Sequence, residues 1–223
     1  LKKYAIIVAG GSGSRMGTET PKQFLELKGK PVLMHSMNRF FDFDKNIQLI
    51  IVLPEKQVEL WKTLCNVHQF ELSHEIVIGG TERFYSVKNG LSLVEDNALV
   101  AIHDAVRPLV NSNTIKNAFD SANQFGSGIP TIPLNDSLRK IEGEDNFAVP
   151  RKAYQIIQTP QCFSSSLLLE AFKQDYHSNF TDDATVLEAM GIKVYLTKGN
   201  SENIKITTPA DFKIAEALID EIH

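Results

Sequence analysis

Apolar runs of strand length alternate with segments of helical period along the first half of the chain. Tyr4–Val8 (YAIIV), Ile47–Leu53 (IQLIIVL), Ile76–Ile78 and Ala98–Ile102 (ALVAI) are continuous rather than alternating. Unbroken Val, Ile and Leu runs predict strands covered on both faces, as in a parallel sheet. Between them, Val32–Phe41 repeats its apolar positions near helical spacing behind Pro31, a residue suited to a first helical turn. Glu55–Gln69, Glu82–Val94 and Asn113–Asn123 also predict helices. Strand–helix alternation of this kind predicts an α/β fold with a mostly parallel, doubly wound, twisted sheet flanked by helices.

The pattern loosens after Pro133. Asn135–Val149 (NDSLRKIEGEDNFAV) is polar and charged, centres on Gly143 and alternates around Ser137–Ile141. It reads either as a hairpin projecting from the sheet or as a surface loop. A projecting hairpin needs a partner to cover it, which argues for dimerisation. Helical signals return at Ser164–Lys173 and Thr181–Met190, a strand at Lys193–Leu196 and a last helix at Pro209–Ile222. With no internal repeat or interdomain linker, residues 1–223 read as one domain carrying an arm at about 135–153.

Composition narrows the function classes. Of 223 residues, 43% are hydrophobic and 22% charged, ordinary for a globular protein. A net charge of −4 sets up no global field toward nucleic acid or an anionic membrane, so anion recognition must rest on a local basic pocket. Cys65 and Cys162 lack any Cys-x-x-Cys spacing and read as reduced thiols. The six histidines lack His-x-x-x-His spacing, so a zinc site has little support. No apolar stretch approaches the roughly 18 residues that span a bilayer. Leu1-Lys2-Lys3-Tyr4 runs directly into a strand and leaves no room for a signal peptide, so the expectation is a cytoplasmic protein.

The candidate chemistry gathers where strands end. After Tyr4–Val8 comes AGGSGSRMG, residues 9–17. A dinucleotide fingerprint would continue Gly11, Gly13 and then a third glycine, but Met16 stands in that place. The Lys-Ser/Thr ending of a Walker loop is missing too. What remains is a loop whose amides can face anionic oxygens, with Arg15 and Lys22 beside it; the bland alternative is a tight turn. His103-Asp104-Ala105-Val106-Arg107-Pro108 follows the strand ALVAI. There Asp104 can hold a hydroxyl or magnesium and Arg107 a phosphate, or the two form a buried pair that shapes the loop. His103 reads as structural rather than as a general base. Gly79-Gly80-Thr81-Glu82-Arg83 is a strand-to-helix turn whose amides, with Ser86, can meet a nucleotide, or simply a helix start. Thr181-Asp182-Asp183 reads as an N-cap with acids in the first turn. Lys205, between apolar neighbours in Asn203–Thr207, is a snorkelling edge charge or a phosphate clamp.

Taken in order, AGGSGSRMG…PKQF, HDAVRP, TPQ, TDD and NIKIT resemble the 2-C-methyl-D-erythritol 4-phosphate cytidylyltransferase family over essentially the whole chain. The sister family, ribitol-5-phosphate cytidylyltransferase, shares many of these blocks. The resemblance implies a Rossmann-like nucleotidyltransferase fold, CTP and Mg²⁺ as partners, and a homodimer whose arms complete each other's sites. It implies catalytic roles for Arg15, Lys22, Arg151 and Lys205. Nucleotide contacts fall to Ala9, Gly10, Gly11, Gly80, Thr81, Ser86, Asp104 and Ala105. Asp104, Arg107, Ser137, Arg151, Thr159 and Lys205 match the groups around the sugar phosphate, and the metal's ligands stay unassigned. Ser137 stands where a threonine is common, and Thr81 where the turn often carries Asp. The alternatives are CMP transfer to ribitol 5-phosphate, and a non-catalytic nucleotide-binding regulator, which has no need of a second phosphate clamp.

Overall fold

A computed structural model describes residues 1–10 and 20–221. Its elements, in chain order, are β1 (Lys2–Val8), β2 (Glu26–Leu27), β3 (Lys30–Pro31), α1 (Val32–Phe43), β4 (Gln48–Leu53), α2 (Val58–Val67), β5 (Glu75–Ile78) and α3 (Arg83–Leu91). Then come β6 (Ala98–Asp104), α4 (Ser112–Phe125), β7 (Ser127–Pro133), β8 (Leu138–Glu142), β9 (Asp145–Val149), β10 (Gln155–Ile157), β11 (Gln161–Ser164), α5 (Ser165–Ala171), α6 (Asp183–Glu188), β12 (Leu196–Lys198) and α7 (Pro209–Leu218).

Eight strands form one mixed sheet in the order β10-β7-β11-β6-β1-β4-β5, with β12 also on β7. The four continuous apolar runs are its parallel half: β1 pairs with β4 and β6, and β4 with β5, all parallel. β11 runs antiparallel to both β6 and β7. Strand order reverses beside β1, since β4 and β5 lie to one side of it and β6 to the other. That is the switch point at which ligands of open α/β sheets bind. Register places Val8 opposite Asp104, so the two strands end together.

Alternate residues of the strands enter opposite cores, as the two-residue repeat requires. Ala5, Ile7, Leu49 and Ile51 pack with Met37, Phe40, Trp61 and Phe119 of α1, α2 and α4. Tyr4, Ile6, Ile50 and Val52 pack with Phe84 and Val87 of α3, Leu168 of α5 and Leu187 of α6. A smaller cluster ties Ala215 of α7 to Leu27, Val106 and Ile206. It matters to the site because Ile206 N also donates to Val106 O at 2.9 Å, fixing the neighbouring Lys205 beside the end of β6.

Several boundaries differ from expectation. β6 runs on through His103 and Asp104, so the aspartate is the last residue of a strand rather than part of a loop. The strand expected at Lys193–Leu196 lies at Leu196–Lys198 instead. The segment after Pro133 is a hairpin: among the described residues β8 and β9 pair with each other alone, turning at Gly143.

Candidate active site

A crevice of about 300 Å³ opens at the carboxyl ends of β1, β5 and β6. Ala9, Gly10, Lys22, Gly80, Thr81, Ser86, Asp104, Ala105 and Lys205 all line it, so nine of the residues singled out from sequence meet there. A larger open hollow of about 980 Å³ lies at the amino ends of β1 and β4 and contains none of them. The crevice is the better candidate, because it sits at the switch point and carries converging charge.

Local structure places each wall. Ala9 N donates to Val52 O at 2.9 Å, and Ala105 N to Val8 O at 3.0 Å, locking the two strand exits together. Gln23, buried, donates from Nε2 to Ala9 O at 2.8 Å and to Gln57 Oε1 at 2.7 Å. It thereby pins the short 3₁₀ turn Lys22–Phe24, and with it Lys22, against the end of β1. Across the crevice, Gly80 N donates to Ser86 Oγ at 3.1 Å, and Ser86 Oγ to Glu82 O at 3.1 Å. A Cβ on Gly80 would stand 2.3 Å from Tyr85 Cβ, so this turn into α3 admits only glycine without rearrangement.

Asp104 is the electrostatic centre. Its Oδ2 meets Lys205 Nζ at 3.0 Å and Arg107 Nε at 3.3 Å, while Oδ1 lies 3.9 Å from Arg83 Nε. Burial pushes the carboxyl up, but Arg83, Lys205 and Arg107 outweigh it and hold the group well below the usual carboxylate range. The aspartate is an anion at any working pH. Arg83 is held in turn by a bidentate pair with buried Asp183, Nη1–Oδ1 2.8 Å and Nη2–Oδ2 2.7 Å. Burial alone would lower the Arg83 pKa; the Asp183 carboxylate outweighs it and raises it.

Two expected substrate contacts have other partners. Arg107 matches the buried-pair alternative: besides Asp104 it donates from Nη1 to Asn203 O at 2.7 Å, and it is not among the crevice lining. The Thr159 hydroxyl accepts from Asp104 N at 3.1 Å and lies 3.0 Å from His103 Nδ1, behind the crevice wall. Because His103 Nε2 must donate to Arg107 O at 3.0 Å, its Nδ1 accepts from Thr159 and the ring has no free lone pair. Burial lowers its pKa to about 4. His103 is structural, as expected.

Ser137 and Arg151 flank the hairpin, are exposed, and do not line the crevice; Arg151 Nη1 donates to Asn135 O. Arg15 and Gly11 fall outside the described residues. Asp182 caps α6 through a reciprocal capping box with Thr185, so the cap lies one residue past Thr181 and Asp183 is the acid of the first turn. Arg83 also lines the crevice, although no motif in the sequence assigns it a role there. The signal available was its place as first residue of α3, where a cation opposes the helix dipole.

A sheet that reverses beside a crevice holding two lysines and an ionised aspartate fits a nucleotide-handling enzyme, and the likenesses to known proteins make it a nucleotidyltransferase. The family profile described as IspD, 2-C-methyl-D-erythritol 4-phosphate cytidylyltransferase, matches residues 4–221. The chain belongs to that family, and it is accordingly a cytidylyltransferase. Similar proteins carrying that name occur in Azobacteroides pseudotrichonymphae (50% identical over 220 residues, 98% of this chain and 99% of the relative) and Bacteroides thetaiotaomicron (48% over 219 residues, 98% and 100%). Among solved structures, the 2-C-methyl-D-erythritol 4-phosphate cytidylyltransferase of Thermus thermophilus superposes with a TM-score of 0.80 at 30% identity, covering 99% of this chain and 100% of that one. The 4-diphosphocytidyl-2C-methyl-D-erythritol synthase of Anaerococcus prevotii reaches 0.82 at 26% identity, covering 98% of each. The ribitol phosphate and regulatory alternatives are not favoured by these likenesses.

Proposed function

We propose that the crevice binds CTP and transfers its cytidylyl group to the phosphate of 2-C-methyl-D-erythritol 4-phosphate in a single displacement, a step of isoprenoid biosynthesis. The observation that carries this reading is the convergence of Lys22, Lys205 and ionised Asp104 on one crevice at the joined ends of β1 and β6. A phosphate oxygen of the acceptor forms a bond to the α-phosphorus of CTP. The bond from that phosphorus to the α,β-bridging oxygen breaks, and pyrophosphate leaves with the electron pair. No proton has to move, since a phosphate monoester with a second pKa of about 6 is already mostly a dianion near neutrality. The chemistry calls for cations and in-line positioning rather than a base.

In this reading Lys22 and the backbone of Gly10 and Thr81 surround the triphosphate, and the family resemblance adds Arg15 to its cations. Lys205 grips the acceptor phosphate. Among the described residues no group of three or more His, Cys, Asp or Glu stands ready to hold a metal by itself. Mg²⁺ would instead be carried by the oxygens of the triphosphate, since Asp104 already faces Lys205, Arg107 and Arg83. There the ion would neutralise phosphate charge. The hairpin β8–β9, with exposed Ile141 and Phe147, serves as a dimerisation arm that carries Ser137 and Arg151 to the partner's crevice. No described helix is long and apolar enough to cross a membrane, and we place the enzyme in the cytoplasm.

Pyrophosphate release is the direct test. With CTP, release should follow addition of 2-C-methyl-D-erythritol 4-phosphate and be far slower with ribitol 5-phosphate at equal concentration. The reverse preference sinks the substrate assignment.

A further inference from the structure

The sequence blocks TPQ and TDD contribute no side chain to the crevice lining, yet the structure joins both to it through Arg83. Gln161, the last residue of TPQ, donates from Nε2 to Asp182 Oδ2 at 2.8 Å and accepts from Ala184 N at 2.9 Å. These two bonds fix the first turn of α6 against β11. That turn presents Asp183, 1% exposed, to both terminal nitrogens of Arg83. With Nη1 and Nη2 taken, the remaining Nε edge faces Asp104 Oδ1 at 3.9 Å. Arg83 itself opens α3, where its charge gains nothing from the helix dipole and must be justified by its partners.

The consequence concerns Lys205. In this structure Lys205 is bound to Asp104 at 3.0 Å, and a lysine held by a carboxylate has to be released before it can grip a phosphate. The more of the aspartate's charge is balanced by other cations, the more easily the lysine leaves. We propose that Arg83 is a positioning residue for acceptor binding: anchored by Asp183, it shares the charge of Asp104 and so frees Lys205 for the sugar phosphate. This rests on the assignment of Lys205 to the acceptor phosphate. Asp183 is the governor of the device, because the part of the guanidinium charge that it neutralises is unavailable to Asp104.

Steady-state kinetics on three variants separate this from a strut that merely holds α3 to α6. Arg83→Gln should raise KM for 2-C-methyl-D-erythritol 4-phosphate about fivefold, the size expected of one half-screened charge contact, with KM for CTP changed less than twofold. Arg83→Lys, which keeps the charge but not the bidentate fork, should bring the acceptor KM back to within about twofold of wild type. Asp183→Asn keeps an acceptor oxygen to hold the guanidinium but removes the competing negative charge, so it should leave the acceptor KM level or lower it. A strut predicts parallel damage from Arg83→Gln and Asp183→Asn and no rescue by lysine, and that pattern overturns the proposal. So does an equal rise in KM for CTP. If Arg83→Gln melts below the assay temperature, Arg83→Lys decides, since a fivefold acceptor-KM rise there is also fatal. Lys205→Ala is the control on the underlying assignment: an unchanged acceptor KM in that variant removes Lys205 from the acceptor, whatever Arg83 does.

Discussion

Lys22 and Lys205 are both lysines in one crevice, and their neighbours separate their tasks. Lys22 sits on a turn pinned by Gln23 to the end of β1, next to the glycine-rich segment, whereas Lys205 is held over Asp104 at the end of β6. Lys22→Ala should lower kcat about 10²–10³-fold, as loss of an aimed charge at the reacting phosphorus does, with a much smaller change in KM for CTP. Retention of near-wild-type kcat would take Lys22 out of the transition state. His103 makes a different prediction, for stability. Its folded pKa of about 4 lies below the usual 6.5 because burial disfavours the imidazolium, against the opposing pull of Asp104. Below pH 6.5 the unfolded chain therefore binds a proton that the folded chain refuses, and stability falls until pH 4, by roughly 3 kcal/mol over that window. His35, also lowered by burial, acts in the same direction. Urea midpoints measured from pH 7 to 5 should fall steeply for the wild type and less steeply for His103→Gln. Parallel slopes would show that His103 is not the group responsible.

At the scale of elements, legibility followed burial on both faces. β1, β4 and β6 were readable because a strand covered by helices on either side is apolar at nearly every position, whereas the edge strand β5 showed only as the short run Ile76–Ile78. The antiparallel strands were not. β7 carries Gly128, Pro130 and Pro133, residues that read as turn, and β11 is four residues beginning with Gln161. Tertiary fit explains the glycine. A Cβ at residue 128 would stand 2.2 Å from Ala118 O, so α4 lies directly on the backbone of β7. Gly128→Ala should therefore cost about 1–3 kcal/mol by forcing helix from strand, lowering Tm by several degrees for a chain of this size. A melting curve superposable on wild type would mean that α4 shifts freely, contrary to its packing in the core. The same limit applied to the site. Its glycines, Lys22, Asp104 and Lys205 were legible because motif chemistry is local. The pair of Arg83 with Asp183 spans 100 residues, and no spacing rule connects the two. Arg107 and Thr159 were legible as important residues, but their partners, the Asn203 carbonyl, the backbone of Asp104 and the His103 ring, come only from the packed structure.

For the molecule as a whole, the crevice and the β8–β9 hairpin stand apart, since no residue of 135–153 lines the crevice. Ile141 is 69% and Phe147 51% exposed on a two-stranded ribbon that pairs with no other strand among the described residues. Two strands alone are marginal in water, and exposed apolar side chains on them call for a cover. Arg151, just beyond this ribbon, faces neither Asp104 nor Lys205. If a second copy supplies the cover, symmetry makes each arm serve the other crevice, and Arg151 then acts on the acceptor bound by its partner. Complementation tests this without any knowledge of the interface. Lys22→Ala and Arg151→Ala should each be nearly inactive as homodimers. Dissociated, mixed in equal amounts and reassociated, they should recover about a quarter of wild-type activity: half of the dimers are mixed, and each mixed dimer joins one intact Lys22 to one intact Arg151 across its interface. An Arg151 that worked within its own chain would give no recovery, because every crevice would then lack one of the two residues. Replacing Phe147 with Glu in both chains should abolish the recovery along with the dimer, as sedimentation would report.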